Sequence, residues 1–446
     1  MNQDRNIILT INVVEEPLVR AVHLQSKALG KKLEGLVLVH KEYAKLTNRP
    51  KDRTGLFKEI ICDFDNIDEV QAVLKPYHDR LLAVTCRYEE AIQPFGKVIP
   101  FLPYLYTPSG ASLLWSTEKN LMRDRMKNYD SSLGPRYQYM QAADMPKLDE
   151  LIKDFEFPVI IKPCGLAKAL FVTECDDMEE LRENLEKIFE VIENAYTREQ
   201  YPGEPSLLVE EMMQGDMYST DAYITHDGKI SCLPLIRVTT AHELGLPGFY
   251  GRELTTITNL SDSEIQAAFK TTISGLRALN LSSTSAHIEL FNTPTGWKII
   301  EIAARIGGHR DDLYREAYGF EHFFNDLSIR MGKDPVVNMK AISNATAVNI
   351  YADQEGYIDA IEGLEKARKL ESVVYLHEHA KPGDLALFAM NGGDNVIDGV
   401  LRNDDPKKLR EDIKRVNDLV NIKIRQTAQI QKTKTVRRPR RELIHS

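Results

Sequence analysis

Between residues 6 and 115 short apolar runs alternate with amphipathic stretches. The runs NIILTINVV, LEGLVLVH, KEIICDF, RLLAVTC and GKVIPFL read as strands. EPLVRAVHLQSKAL and IDEVQAVLKPY, apolar at three- and four-residue spacing, read as helices. This alternation predicts a parallel sheet with crossover helices. TPSGAS (107–112) breaks the pattern, and WSTEKNLMRDRMKNY then begins a helix with Ser116 or Thr117 as N-cap. FPVIIKP is a strand with Lys162 near its end, followed by CGLAKALFVTE and the amphipathic MEELRENLEKIFEVIENA. The acidic connection TREQYPGEPS leads to the strand LLVEEMM. Strand patterns dominate from 206 to about 304, interrupted by the helix SDSEIQAAFKTTISGLRAL, and a further α/β stretch follows MGKDP to NIKI. The last fifteen residues, KTKTVRRPRRELIHS, hold little to bury and read as a mobile tail.

One apolar strand carries charge where a core strand should not. In KIIEIAARIGGH (298–309) strict alternation places Glu301, Ala303 and Arg305 on one face and Ile300, Ile302 and Ala304 on the other. Upstream, AHIELF is a second strand, and NTPTGW between the two has the residues of a hairpin connection. A turn centred near Pro294 sets Glu289 opposite Ile299 and diagonal to Glu301, roughly 7 to 8 Å away on the same face. Two carboxylates so placed can share a metal, and oxygen-only ligands favour Mg²⁺ bridging to nucleotide phosphates. An ion pair between Glu and Arg at a sheet edge is the alternative reading of the same residues.

Composition narrows the class. With 446 residues the chain exceeds one core, and about two to four domains are expected. Apolar residues make up 43% and charged residues 28%, an ordinary globular balance. The net charge of −9 argues against general nucleic-acid or anionic-membrane binding. No window approaches 18 apolar residues and no leader pattern opens the chain, so a cytoplasmic protein is expected. The five cysteines show no CxxC spacing, which supports neither a disulfide scaffold nor a zinc site. No GxGxxG follows the first strand, so a Rossmann dinucleotide site is not supported.

The order of the charged residues carries more than any one of them. A helix-start lysine (Lys119), a strand lysine before a turn (Lys162), VEE after a strand (Glu210, Glu211), Glu289 and the E-x-x-x-R of 301–305 together resemble the ATP-grasp superfamily of ATP-dependent ligases. KPGD (381–384), MNGGDNVIDGV and a final helix resemble the closing domain of its amino-acid ligase and carboxylate-amine ligase branch. The resemblance implies an α/β fold in four parts. These are an N-terminal parallel α/β domain (1–115), a small lobe (116–205) and a large lobe (206–335) of the nucleotide clamp, and a closing domain (336–430), with the basic tail at 431–446.

Residue by residue, it implies that Lys119 and Lys162 hold nucleotide phosphates as point charges. The hinge near Glu210 and Met213 would bind adenine, with Asp216 or Glu211 on the ribose. Glu289 and Glu301 would hold Mg²⁺, with Mn²⁺ a substitute, and Arg305 would stabilise the tetrahedral anion formed when an amine attacks an acyl phosphate. Gly307 and Gly308 allow close backbone approach to a substrate carboxylate. His309, Arg310 and Asp311 lie at the mouth, to select a substrate or stand in solvent. The loop RVTTAHELGLPGFYGRELTT, with Arg252, His242 and Glu243, reads as a substrate loop or a plain connection.

Two positions depart from the family pattern. Glu301, Ile302 and Ala303 stand where many members have E-x-N, and only Gly165 stands in a phosphate loop usually rich in glycine, where Lys168 offers a charge instead. The expected reaction is an ATP-dependent carboxylate-amine ligation releasing ADP and phosphate, from small-molecule acid and amine substrates. A thiol acceptor such as a carrier protein, carboxylase-like chemistry, and a non-catalytic ATP-binding regulator are the alternatives. A homodimer remains open.

Overall fold

The computed structural model describes residues 5–46, 51–166, 170–198, 201, 203–389 and 393–425. Lys168 and the tail 431–446 lie outside the described residues.

Four of the five N-terminal runs form a wholly parallel sheet, in the order Phe57–Cys62, Glu34–His40, Ile7–Ile11, Leu81–Thr85. All five residues of Ile7–Ile11 and of Leu81–Thr85 are buried, as strands covered on both faces must be. The fifth run is different: GKVIPFL lies in the end of the helix Glu89–Val98 and the turn of 3-10 helix after it. Ala91, Ile92, Phe95 and Val98 are the buried positions of that helix, a helical spacing hidden by reading its last apolar stretch alone.

The break at TPSGAS also contains a helix start. Ser109 caps Gly110–Thr117 by accepting from the Ser112 N–H. Ser116 and Thr117 are therefore not caps: both lie in that helix, with hydroxyls donating to the Leu113 carbonyl. The next helix, Lys119–Tyr129, starts from Glu118.

Two antiparallel sheets face each other across the centre. The smaller has the order Tyr137–Met140, Leu207–Glu211, Val159–Pro163, Thr173–Cys175. It shares a core with the helix Met178–Arg198, through Leu181, Leu185, Ile188 and Ile192. The larger sheet has nine strands. It begins at the hairpin Gly296–Ala303 and Thr284–Thr293, passes through Asp216–Ile224, Ile236–Thr240, Gly251–Thr255 and Asn344–Ile350, and ends with Ile397–Asn403 and Val373–Glu378; the ninth strand, Ile230–Cys232, pairs with Asp216–Ile224 off this path. The helix Asp262–Ala278, with Ser261 and Glu264 in a reciprocal capping box, packs under the hairpin. A small sheet of Leu385–Ala386, Gly356–Glu362 and Asn421–Arg425 stands apart. No helix among the described residues is long and apolar enough to cross a membrane.

Candidate active site

The hairpin register brings the two carboxylates closer than strict alternation predicts. Glu289 pairs directly with Glu301, not with Ile299. A bulge between Glu289 and Leu290 leaves Ile300 without a partner of its own, so Ile299 and Ile302 both turn to the core while Ile300 and Glu301 both face a cavity. Without that extra residue in the strand's phase, Glu301 would point at the helix beneath. Directly paired side chains have Cβ atoms about 4.5–5.5 Å apart, within the span of one cation. Arg305 lies beyond the strand, on the loop that follows.

The cavity holds about 570 Å³ between the two central sheets. Lys119, Lys162, Glu289 and Glu301 line it, as do Met213 of the expected adenine hinge and both expected ribose partners, Glu211 and Asp216. Lys119 Nζ donates to the Leu166 carbonyl at 2.9 Å and lies 3.4 Å from Glu301. Burial works against its charge, but Glu301 and Glu89 outweigh burial and raise its pKa. Lys162 Nζ lies 2.9 Å from Glu210. Burial favours the neutral acid at Glu289, yet His287, Arg310 and Arg305 together lower its pKa, so it stands as a carboxylate.

Several expected residues lie elsewhere. Glu210 is 1% exposed and does not reach the cavity; Arg123 Nε holds it at 2.6 Å and Lys162 at 2.9 Å. Burial alone would raise its pKa, but these two cations bring it down to about 2. His242 and Glu243 line the same cavity as the hinge, whereas Arg252 does not line it. Arg252 acts instead on Tyr250, Glu253 and Tyr351. Asp216 is tied to Glu243 through Arg237, at 2.9 and 2.7 Å.

The loop after the hairpin is more enclosed than a mouth. Arg310 and Asp311 are 2% and 5% exposed, with Asp311 held by Arg20 at 2.5 Å. His309 has φ of +57° at the start of the helix Arg310–Tyr318, and its Nε2 lies 3.0 Å from Asn349. Gly307 is required by internal packing: a Cβ there would come within 2.4 Å of His287 Nδ1. At Gly308 a Cβ would meet nothing within 4 Å, which leaves open space on that side.

Three residues missed in the sequence complete the arrangement. Glu89, at the start of the helix Glu89–Val98, accepts from Arg305 Nε at 2.6 Å, and its burial raises its pKa despite that arginine. Arg123 also donates to the Ile300 carbonyl at 2.7 Å, so it joins the hinge strand to the bulge. Asp221 is wholly buried among His287, His322 and the Gly307 N–H. Only Arg123 had a local signal, four residues beyond Lys119 on one helical face.

Comparison with known proteins bears on the fold. Residues 155–311 match the ATP-grasp domain family. An uncharacterised protein, y4rH, of Sinorhizobium fredii is 25% identical over 247 residues, 55% of this chain and 48% of that protein, so the match spans about half the relative's length. The crystal structure of an L-amino acid ligase from Bacillus licheniformis superposes with a TM-score of 0.76 at 16% identity, over 95% of this chain and all of the other. N5-carboxyaminoimidazole ribonucleotide synthetase from Thermotoga maritima gives 0.65 at 17% identity, over 94% and 99% of the two chains. Carboxyaminoimidazole ribonucleotide synthase from Aspergillus clavatus, complexed with ATP, gives 0.68 at 12%, over 93% and 98%. The chain thus carries an ATP-grasp domain and, over nearly its whole length, the α/β fold of ATP-grasp ligases.

Proposed function

We propose that this protein is an ATP- and Mg²⁺-dependent ligase that activates a carboxylic acid as its acyl phosphate and joins it to an amine, releasing ADP and phosphate. The observation that carries the reading is the convergence of Lys119, Lys162, Glu289 and Glu301 on one cavity that Glu211 and Met213 also line. In this reading 116–205 and 206–335 are the lobes that close on nucleotide, and 336–430 closes the acyl site.

The donor set fits a hard divalent cation: two carboxylates directly paired, oxygen ligands only, facing cavity space. Glu289 and Glu301 would hold Mg²⁺, which when bound neutralises phosphate charge. The lysines bind and orient the phosphates. Arg305 forks onto the oxygens of the tetrahedral anion that forms when the amine attacks the acyl carbon; phosphate then leaves and the amine loses a proton. Asp216, through Arg237 and Glu243, fixes the ribose end.

The test incubates the protein with ATP, Mg²⁺ and pairwise pools of amino acids and simple amines, following ADP and phosphate beside product masses. ADP formed only with particular pools, with a product of acid plus amine minus water, supports the ligase. ATP binding without turnover in every pool overturns it. Arg305→Ala and Glu301→Ala serve as inactive controls.

A further inference from the structure

Behind Glu289 lies a layer of buried polar groups that phosphate chemistry does not reach. Asp221 stands at its centre, on the strand Asp216–Ile224, with no exposure. Its Oδ1 lies 2.7 Å from His287 Nδ1, its Oδ2 2.7 Å from His322 Nε2, and the same Oδ2 accepts from the Gly307 N–H at 2.8 Å. His322 Nδ1 continues to the Tyr223 hydroxyl at 2.7 Å. On its cavity side, His287 Nε2 lies 3.6 Å from Glu289 Oε1. Arg310 flanks this layer, donating to the Gly308 carbonyl at 2.9 Å and to Ser219 Oγ, and Ser219 is the residue paired with Glu289 across the sheet.

A buried carboxylate costs several kcal/mol unless both oxygens are satisfied, and a core needing only volume would be served as well by aliphatic side chains. The polar layer does something aliphatic packing cannot. It gives two separate pieces of chain, the strand bearing Glu289 and the loop that follows Arg305, one common anchor. The contact with Gly307 is so close that no Cβ fits between it and His287. A shift of the imidazole therefore moves the loop, and loss of the Asp221 bond frees the imidazole.

We propose that Asp221 and His287 are positioning residues: Asp221 fixes the His287 ring through Oδ1, His287 steadies the Glu289 carboxylate toward the cavity, and Asp221 sets the Gly307 loop through its other oxygen, Oδ2. The proposal rests on reading Glu289 and Glu301 as the metal pair. Outer groups that orient a metal-binding side chain are typically worth about 10- to 100-fold in metal affinity.

Two substitutions separate the two ends of the imidazole. His287→Asn keeps a donor near the Nδ1 position for Asp221 and removes the group facing Glu289; His287→Gln keeps a donor near the Nε2 position and gives up Asp221. Mn²⁺ binding is read by electron paramagnetic resonance in the presence of a non-hydrolysable ATP analogue, beside circular dichroism for folding and metal-free nucleotide affinity. His287→Asn is expected to fold, to bind the analogue alone as the wild type does, and to lose about 10- to 100-fold in Mn²⁺ affinity, with partial recovery in His287→Gln. Asp221→Asn should show the same loss with a lower Tm. A purely structural role would lower Tm and leave the Mn²⁺ affinity of the folded protein unchanged, and that result overturns the proposal. If the wild type itself binds no Mn²⁺ with nucleotide present, the metal pair falls and this inference with it; wild-type binding matched by His287→Asn removes the inference alone.

Discussion

Arg305 meets Glu89 at 2.6 Å and donates to the Ile306 carbonyl at 3.1 Å, so its guanidinium is already oriented before any substrate arrives. Pre-orientation matters because a donor aimed at developing charge needs no reorganisation in the transition state. Arg305→Ala is expected to lower kcat by about 100- to 1000-fold while leaving nucleotide affinity nearly unchanged, measured by steady-state kinetics beside calorimetry. Arg305→Lys should recover little, since a point charge cannot fork onto two oxygens. A different residue governs acid stability. Glu210 has an ordinary value of 4.5 and stands at about 2 in the fold, so its folded pKa is depressed. Its contribution is therefore complete above the unfolded value and is lost as pH falls from about 4.5 toward 2, on the order of 3 kcal/mol in total. Glu210→Gln leaves Arg123 and Lys162 facing a neutral group and should cost about 3 to 5 kcal/mol at pH 7. In denaturant titrations the gap between wild type and variant should narrow on acidification below pH 4.5; a constant gap would contradict the assignment.

At the scale of elements, the loop after the hairpin of Glu289 and Glu301 offers a paired contrast. Gly307→Ala places a methyl 2.4 Å from a ring atom held by Asp221, so either the His287–Asp221 bond or the loop must yield. A stability loss of about 1 to 3 kcal/mol and a fall in kcat are expected. Gly308→Ala meets open space and should stay within about 0.5 kcal/mol of the wild type by urea denaturation. The elements also mark where reading from sequence succeeds. Lys119, Lys162, Glu289 and Glu301 were legible through their order along the chain, which resembles the ATP-grasp family, while the packing of separate elements brings them to one cavity. The bulge at Ile300 was not legible, since one extra residue leaves no composition signal, although it decides which way Glu301 points. The helix at GKVIPFL was legible only with the residues before it. Glu89, Arg123 and Asp221 find partners 216, 87 and 66 residues away, distances over which side-chain pattern carries no information.

Across the whole molecule the site is assembled by contacts between parts. Residues of the first 115 grip the loop of Arg305 and the helices after it through Glu89, through Arg87 donating to the Ile306 carbonyl at 2.9 Å, and through Arg20 to Asp311 and Glu321 at 2.5 and 3.0 Å. Around the cavity the helix Lys119–Tyr129 and the four-stranded antiparallel sheet reach the nine-stranded sheet's side through single polar contacts. Arg123 reaches the Ile300 carbonyl at 2.7 Å, Lys119 stands 3.4 Å from Glu301, and His242 stands 3.5 Å from Glu174. A ligand that fills the cavity adds contacts where the protein alone has few. Nucleotide with Mg²⁺ at 100 times its Kd is then expected to stabilise the clamp by about 2.7 kcal/mol, seen as an upward shift in Tm. Lys162→Met tests whether this stabilisation passes through the phosphates. Arg123 still satisfies Glu210 in that variant, so the strand Leu207–Glu211 keeps its buried pair while the cavity loses a cation. The Tm without ligand should change little, and most of the nucleotide-dependent shift should disappear. An equal shift in both proteins would mean that the base and ribose ends hold the nucleotide without help from this lysine.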